Sequence, residues 1–157
     1  MTTDELSYLV ISKLKRENLT LATAESCTGG LVGKCLTDIA GASAVYLGGV
    51  ISYTNGVKRR LLGVEQSTLD VCTAVSRETA KEMARGAREV IKSDLGVSVT
   101  GLAGPDGDGT GRPVGLVYIA IDNGGFSFCK ELHLEGDRAS VREQAAQAVL
   151  QMILDFV

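Results

Sequence analysis

The chain has 157 residues, of which 45% are hydrophobic and 22% charged, as expected for one soluble globular domain. A net charge of -3 and an aromatic content of 4% disfavour nucleic acid as a partner, because they supply neither a basic field nor stacking platforms. No apolar run approaches the length of a membrane span, and the first ten residues do not resemble a signal peptide, so we expect a cytoplasmic protein with no membrane partner.

The first half of the chain is predicted to alternate helices and strands. An apolar face of helical period marks the first helix, with a Thr2–Glu5 capping box at its start and Asn18 as a left-handed cap at its end. The predicted elements are a helix over 3–17, a strand over Leu19–Ala24, a helix ending near Ala40, a strand over Gly48–Tyr53 and a short helix through Leu62.

The second half continues the alternation but includes one hairpin. Ser76 and Asp137 are predicted helix caps, and Asn123-Gly124-Gly125 is a hairpin turn. The predicted elements are a helix from Ser76 to about Lys92, strands over Leu95–Thr100, Val114–Asp122 and Phe126–Leu134, and a closing helix. This order predicts a three-layer α/β/α sandwich with a mixed sheet, mostly parallel with one antiparallel strand. The loops 25–30, 53–58 and 101–112 all follow strands and should share one rim.

Ser26 lies between a predicted strand and a helix that opens with glycines. The N–H groups of a first helical turn are unpaired, so those of Thr28, Gly29 and Gly30 are candidates to bind an oxyanion formed by attack of Ser26. Most serines in such positions only cap the helix, and the segment lacks the glycines of a G-x-S-x-G elbow. These residues alone leave both roles open.

A serine nucleophile needs a base, and Lys58 is the candidate. His133, the only histidine, falls on a predicted strand, where a packed or surface role is more usual than a catalytic one. A helix N-terminus and the neighbouring Arg59 and Arg60 would disfavour the ammonium form of Lys58, and burial would lower its pKa further. Tyr53 is a candidate to pass or position the proton. The alternative is that residues 58–60 form a solvated basic turn.

Six segments resemble the CinA C-terminal domain family, which has a stand-alone form, nicotinamide mononucleotide deamidase. They follow the family's order and spacing, cover nearly the whole chain, and imply that residues 1–157 are a single amidohydrolase domain. The segments are Thr23–Gly30, Gly49–Lys58, Ala74–Ser76, Thr100–Pro105, Pro113–Gly115 and Gly136–Arg138.

The resemblance implies an enzyme that converts nicotinamide mononucleotide to nicotinic acid mononucleotide and ammonia, and so recycles pyridine nucleotides. Its Ser–Lys–Tyr catalytic set falls on Ser26, Lys58 and Tyr53. The cationic pyridinium ring makes the amide carbon electrophilic, so we expect no metal and no redox cofactor. The expected substrate-binding residues are Thr28, Gly29, Gly30, Asn55, Thr100, Gly101, Ala103, Gly104 and Arg142.

The loop 101–112 is a second functional candidate, because its five glycines leave N–H groups open to a phosphate or ribose. Its residues 106–111 resemble the opening of a calcium loop, but Val117 stands where the bidentate glutamate is required, which disfavours calcium. Arg138 and Arg142 lie one helical turn apart, and they either reach a phosphate together or form a solvated face.

Three further expectations concern the activity and the assembly. The domain could be a binding or regulatory module with weak or no catalysis, since multidomain CinA proteins join it to a second domain. Cys27 could be the nucleophile or a redox sensor, because a helix N-terminus lowers a thiol pKa; the four cysteines form no Cys-x-x-Cys pair and are expected to be reduced. The family likeness and the exposed surface of a mixed sheet favour a homo-oligomer, with a dimer as the expected state.

Overall fold

The computed structural model describes all 157 residues. Its strands are β1 (Leu21–Glu25), β2 (Tyr46–Ile51), β3 (Leu95–Gly101), β4 (Leu116–Asp122) and β5 (Ser127–His133). Its helices are α1 (Thr3–Glu17), α2 (Leu31–Thr37), α3 (Asn55–Leu62), α4 (Gln66–Cys72), α5 (Arg77–Ile91) and α6 (Arg138–Phe156), with a 3₁₀ turn at Ala42–Ala44. None of these helices combines the length and the hydrophobicity that crossing a bilayer requires.

The strands form one five-stranded sheet in the order β2-β1-β3-β4-β5. β1 pairs in parallel with β2 and β3, whereas β4 runs antiparallel to both β3 and β5. Only β4 therefore opposes the common direction, which confirms the predicted mixed sheet with one antiparallel member.

Helices cover both faces of the sheet, which confirms the predicted three layers. Alternation along β1 directs Leu21 into the larger core, shared with α1, α2 and α6. It directs Ala22 and Ala24 into a second core, where they meet α3, α4 and α5. The small alanines allow α5 to lie close to the sheet, and Gly86 allows it to touch α3: a Cβ at Gly86 would lie 2.0 Å from the carbonyl oxygen of Leu62.

The predicted helix caps are confirmed. Thr2 and Glu5 form a reciprocal capping box, and Asn18 adopts the left-handed conformation at the end of α1. Ser76 accepts from the Thr79 amide at the start of α5, and Asp137 accepts from the Ser140 amide at the start of α6. These caps place the first turns of α5 and α6 at the rim where β1, β2 and β3 end.

Several predicted boundaries were wrong by a few residues. β1 begins at Leu21 rather than Leu19, and α2 ends at Thr37 rather than near Ala40. β2 ends at Ile51, which leaves Tyr53 in the loop. β4 begins at Leu116 because Gly115 has a φ of +95°, outside the range of a strand. Helix α4 was not predicted, since only Leu69 of its seven residues is buried and so short a segment shows no clear period.

Candidate active site

A cavity of about 320 Å³ lies at the predicted rim. All three predicted loops contribute to it, together with the segment before α5 and the first residue of α6. Its lining residues are Ser26, Cys27, Tyr53, Thr54, Asn55, Lys58, Ala74, Val75, Thr100, Gly101, Leu102, Ala103, Gly104, Asp106, Asp108 and Arg138.

Ser26 and Lys58 meet at this cavity in a direct hydrogen bond. The Nζ of Lys58 lies 2.9 Å from the Oγ of Ser26 and 2.7 Å from the backbone oxygen of Ser52. Lys58 is 1% exposed and Ser26 is 8% exposed. The Ser26 amide donates to the carbonyl of Val99 on β3, which fixes the serine at the end of β1. The pair has the proximity that a nucleophile and its base require.

Burial lowers the pKa of Lys58 to about 8, an effect that the nearby Cys27 thiol partly opposes. Burial is one of the predicted causes and is confirmed, whereas Arg59 and Arg60 are exposed and are not among the causes. The solvated basic turn therefore describes those two arginines and is wrong for Lys58. A neutral Lys58 amine can donate one hydrogen to the Ser52 carbonyl while its lone pair accepts the Ser26 hydroxyl proton.

The Gly29 amide and the amides at the start of α2 are not free to bind an oxyanion, because they already have acceptors. The amides of Val32 and Gly33 donate to the carboxylate of Glu25, at 2.9 Å and 3.0 Å. The Gly29 amide donates to the carbonyl of Ser26. Gly29, Gly30 and Thr28 do not line the cavity, and the Thr28 hydroxyl is itself bound to Glu25.

Two amides remain for an oxyanion, and one of them, the Thr28 amide, belongs to the predicted set. Those of Cys27 and Thr28 come directly after the nucleophile, and neither donates to an acceptor within the chain. Cys27 also lines the cavity. An oxyanion held by the amide that follows the nucleophile is a recurrent arrangement in serine hydrolases.

Tyr53 does not lie between the two members of the dyad, since their hydrogen bond is direct. Its ring lines the cavity, but its hydroxyl accepts a hydrogen bond from Arg138 at 3.1 Å. A second nitrogen of Arg138 donates to the carbonyl of Gly104 at 2.8 Å. The structure therefore gives no support to a proton relay through Tyr53 and places it in a bridge across the rim.

The two arginines of α6 have different positions, which the sequence did not resolve. Arg142, the predicted substrate ligand, does not line the cavity and donates to the carbonyls of Cys27 and Thr28, each at 3.0 Å. Arg138 lines the cavity because it is the first residue of α6. The structure therefore does not support a phosphate held by both arginines, and a solvated face does not describe Arg142.

The other predicted binding residues, Asn55, Thr100, Gly101, Ala103 and Gly104, all line the cavity. The Thr100 hydroxyl is occupied, however, since it donates to the carbonyl of Ala74. The sequence reading missed Ser52, whose backbone oxygen carries no sequence signature. It also missed Glu25, although an acidic residue just before a glycine-opened helix was a usable signal for amide capping.

The structure does not support Cys27 as a nucleophile or sensor, nor residues 106–111 as a calcium loop. Burial raises the pKa of Cys27 to about 11, so its thiol is not the activated nucleophile or sensor that a helix N-terminus predicted. The structure contains no cluster of three or more His, Cys, Asp or Glu side chains arranged to hold a metal ion, so it gives Asp106 and Asp108 no support as calcium ligands. All four cysteines are free thiols.

Comparison with known proteins identifies the family to which this sequence and fold are similar. The family model described as the CinA C-terminal domain matches residues 3–157. A protein of Caldanaerobacter subterraneus, whose name describes it as competence-damage inducible, is 47% identical over 154 residues, which cover 98% of this chain and 37% of that protein. This chain thus spans only part of the length of such curated relatives.

Solved structures match over nearly their whole length. The competence/damage inducible protein of Agrobacterium tumefaciens is 39% identical, with a TM-score of 0.93 over 98% of this chain and 94% of that one. A CinA superfamily protein of Escherichia coli is 33% identical, with a TM-score of 0.97 over 99% and 91%.

Replacement of Lys58 by methionine should change how stability depends on pH. Between the folded pKa of about 8 and the ordinary value of 10.5, the unfolded chain holds the Lys58 proton and the folded chain does not, so wild-type stability rises with pH. Relative to Lys58→Met, the wild type should gain about 3 kcal/mol of unfolding free energy from pH 7 to 10.5. Urea unfolding of both proteins measures this, with Lys15→Met as the exposed-lysine control. A pH-independent difference would contradict the burial of the amine.

Proposed function

This chain belongs to the CinA C-terminal domain family, and we propose that it is an amidohydrolase that converts nicotinamide mononucleotide to nicotinic acid mononucleotide and ammonia. The observation that carries the proposal is the buried 2.9 Å hydrogen bond between Lys58 Nζ and Ser26 Oγ at the wall of a cavity. A serine paired with an amine of lowered pKa is suited to attack a carboxamide.

The proposed reaction has two halves. In the first, the Oγ of Ser26 attacks the carboxamide carbon while neutral Lys58 takes the hydroxyl proton. The tetrahedral oxyanion then collapses, the C–N bond breaks, and Lys58 returns the proton to the leaving ammonia. In the second, Lys58 takes a proton from water, the resulting hydroxide attacks the acyl ester, and Ser26 regains its proton as the carboxylate product leaves.

The amides of Cys27 and Thr28 are the proposed oxyanion donors. Both belong to the turn that Ser26 begins, so their N–H groups keep a fixed relation to the nucleophile. A preorganised donor of this kind commonly contributes about 3 kcal/mol to the stability of the transition state.

The rest of the cavity is suited to a charged pyridine nucleotide. Val75, Leu102 and Ala103 provide an apolar wall for the ring. Arg138 uses two of its five N–H donors within the chain and keeps others for a phosphate. Asp106 and Asp108 place negative charge at the same cavity, which complements a pyridinium cation.

A regulatory module that binds the nucleotide without turnover is the alternative function, and the same assay separates the two. Binding of nicotinamide mononucleotide by calorimetry without ammonia release would favour the module.

The homodimer and the cytoplasmic location stay predictions.

Ser26→Ala should abolish ammonia release from nicotinamide mononucleotide, because it removes the hydroxyl that forms the proposed acyl intermediate. We expect a fall in kcat of at least about 10³-fold, measured by a coupled ammonia assay on protein with unchanged circular dichroism. Ser93→Ala, which removes another buried serine hydroxyl outside the cavity, is the matched control and should keep wild-type activity. Full activity in Ser26→Ala would refute the mechanism.

The wild-type pH–rate profile should follow the Lys58 amine. Only the unprotonated amine accepts the serine proton, so kcat/KM should fall about tenfold per pH unit below the pKa of about 8 and reach a plateau above it. Ammonia release between pH 6 and pH 9.5 tests this, with substrate blanks at each pH. A kcat/KM that stays constant through pH 8 would show that Lys58 is not the base.

Arg138→Met should weaken recognition of the phosphate. Loss of a charge-assisted contact should raise KM for nicotinamide mononucleotide by roughly 10- to 100-fold and leave KM for nicotinamide riboside, which has no phosphate, near its wild-type value. Arg60→Met, on the exposed side of α3, is the control. Equal losses for the two substrates would mean that Arg138 only holds the rim together.

A further inference from the structure

Glu25 is a buried carboxylate with no cationic partner. It is 2% exposed, and none of the ion pairs in the chain includes it. Its two oxygens accept three hydrogen bonds instead, from the Thr28 hydroxyl at 2.6 Å and from the Val32 and Gly33 amides at 2.9 Å and 3.0 Å. These bonds fasten the turn that contains Ser26 to the first turn of α2. Burial of an anion without a cationic partner costs free energy of folding, so we expect the Glu25 carboxylate to have a structural role at this turn.

The backbone of the same residue holds the other half of the dyad. The Glu25 carbonyl accepts from the Ser52 amide at 2.7 Å and from the Ser52 hydroxyl at 3.2 Å. The Ser52 carbonyl in turn accepts from Lys58 Nζ at 2.7 Å. A closed ring of contacts therefore runs from Glu25 through Ser26, Lys58 and Ser52 back to Glu25.

We propose that Glu25 is a positioning residue for amide hydrolysis, whose carboxylate holds the Ser26 turn so that the serine hydroxyl faces the Lys58 amine across this ring. The inference rests on the proposed function of the dyad. Glu25 does not line the cavity, and its oxygens are occupied, so it acts through Ser26 rather than on the substrate.

The surroundings of Lys58 distinguish the positioning of Ser26 by Glu25 from a direct effect of the Glu25 charge on the Lys58 pKa. Glu25 is not among the causes that move the Lys58 pKa, which are burial and Cys27. Its negative charge is met by the α2 amides and the Thr28 hydroxyl. The other titratable or charged groups beside the dyad or across its cavity are Cys27, Arg142, Tyr53, Asp106, Asp108 and Arg138.

Glu25→Gln tests the proposal. Glutamine has the same shape, but its NH₂ group cannot accept, so an α2 amide loses its partner and the Ser26 turn loosens. We expect kcat to fall about 10²-fold with KM for nicotinamide mononucleotide near wild type, since displacement of a catalytic group costs about that much. Water reaching Lys58 should also move the acidic limb of the pH–rate profile to higher pH. An effect of charge alone would move it to lower pH.

A second readout does not depend on amide turnover. The rate at which a fluorophosphonate reagent labels Ser26 should fall in Glu25→Gln and show the same shift with pH. Thr2→Ala, which removes a capping bond of α1 far from the cavity, is the stability control and should lower Tm without moving either midpoint. If Glu25→Gln does not fold, Thr28→Val removes one of the three bonds to the carboxylate and should give a smaller change in the same direction.

The outcomes distinguish the two proposals. Activity retained by Ser26→Ala would overturn the proposed mechanism whatever Glu25→Gln does. An inactive Ser26→Ala together with wild-type kcat in Glu25→Gln would overturn only the positioning role. So would a Glu25→Gln whose Tm and kcat fall while its pH midpoint and labelling profile stay in place, because that pattern is a stability effect.

Discussion

The cost of burying an amine without an anionic partner governs this site. Lys58 is almost fully buried, and the atoms nearest its Nζ are a serine hydroxyl and a backbone carbonyl, both neutral. Neither contact carries a negative charge, so the desolvation of the ammonium form is not offset and the pKa of Lys58 falls to about 8. A carboxylate in contact with the amine would have the opposite effect, because an ion pair stabilises the ammonium form. The fold therefore places no carboxylate in hydrogen-bond contact with the Lys58 amine.

Glu25, the residue next to Ser26, could have supplied that anion. Its side chain turns instead to the first turn of α2, where two amides and a hydroxyl meet its charge. One arrangement therefore has two effects: the carboxylate is stabilised without a cation, and it does not raise the pKa of the lysine. The same arrangement leaves the Val32 and Gly33 amides unable to bind another anion, since an internal carboxylate already accepts from them.

The sequence predicted the elements with a strong local signal and missed contacts that arise only in three dimensions. The apolar period of α1, the caps of α5 and α6 and the 123–125 turn are local, and all four appear in the structure. The family resemblance predicted that Ser26 and Lys58 belong to one catalytic set, although no local sequence pattern links two residues that are 32 positions apart. Whether an arginine of α6 faces the cavity depends on where the helix starts relative to the rim. A difference of one turn, as between Arg138 and Arg142, therefore could not be decided from period alone.

The segment 73–75, which lines the cavity with Ala74 and Val75, begins with a strained residue. Thr73 adopts φ +69° and ψ 174°, a region that is almost restricted to glycine and costs roughly 1–3 kcal/mol for other residues. Its neighbours are fastened on both sides, since Arg112 donates to the Cys72 carbonyl and Thr100 to that of Ala74. Thr100 and Arg112 also flank the glycine-rich loop, so the bonds that hold the strained wall fix both ends of that loop. Strain retained beside a cavity is consistent with a wall shaped before any ligand arrives, and such preorganisation is what electrostatic catalysis requires.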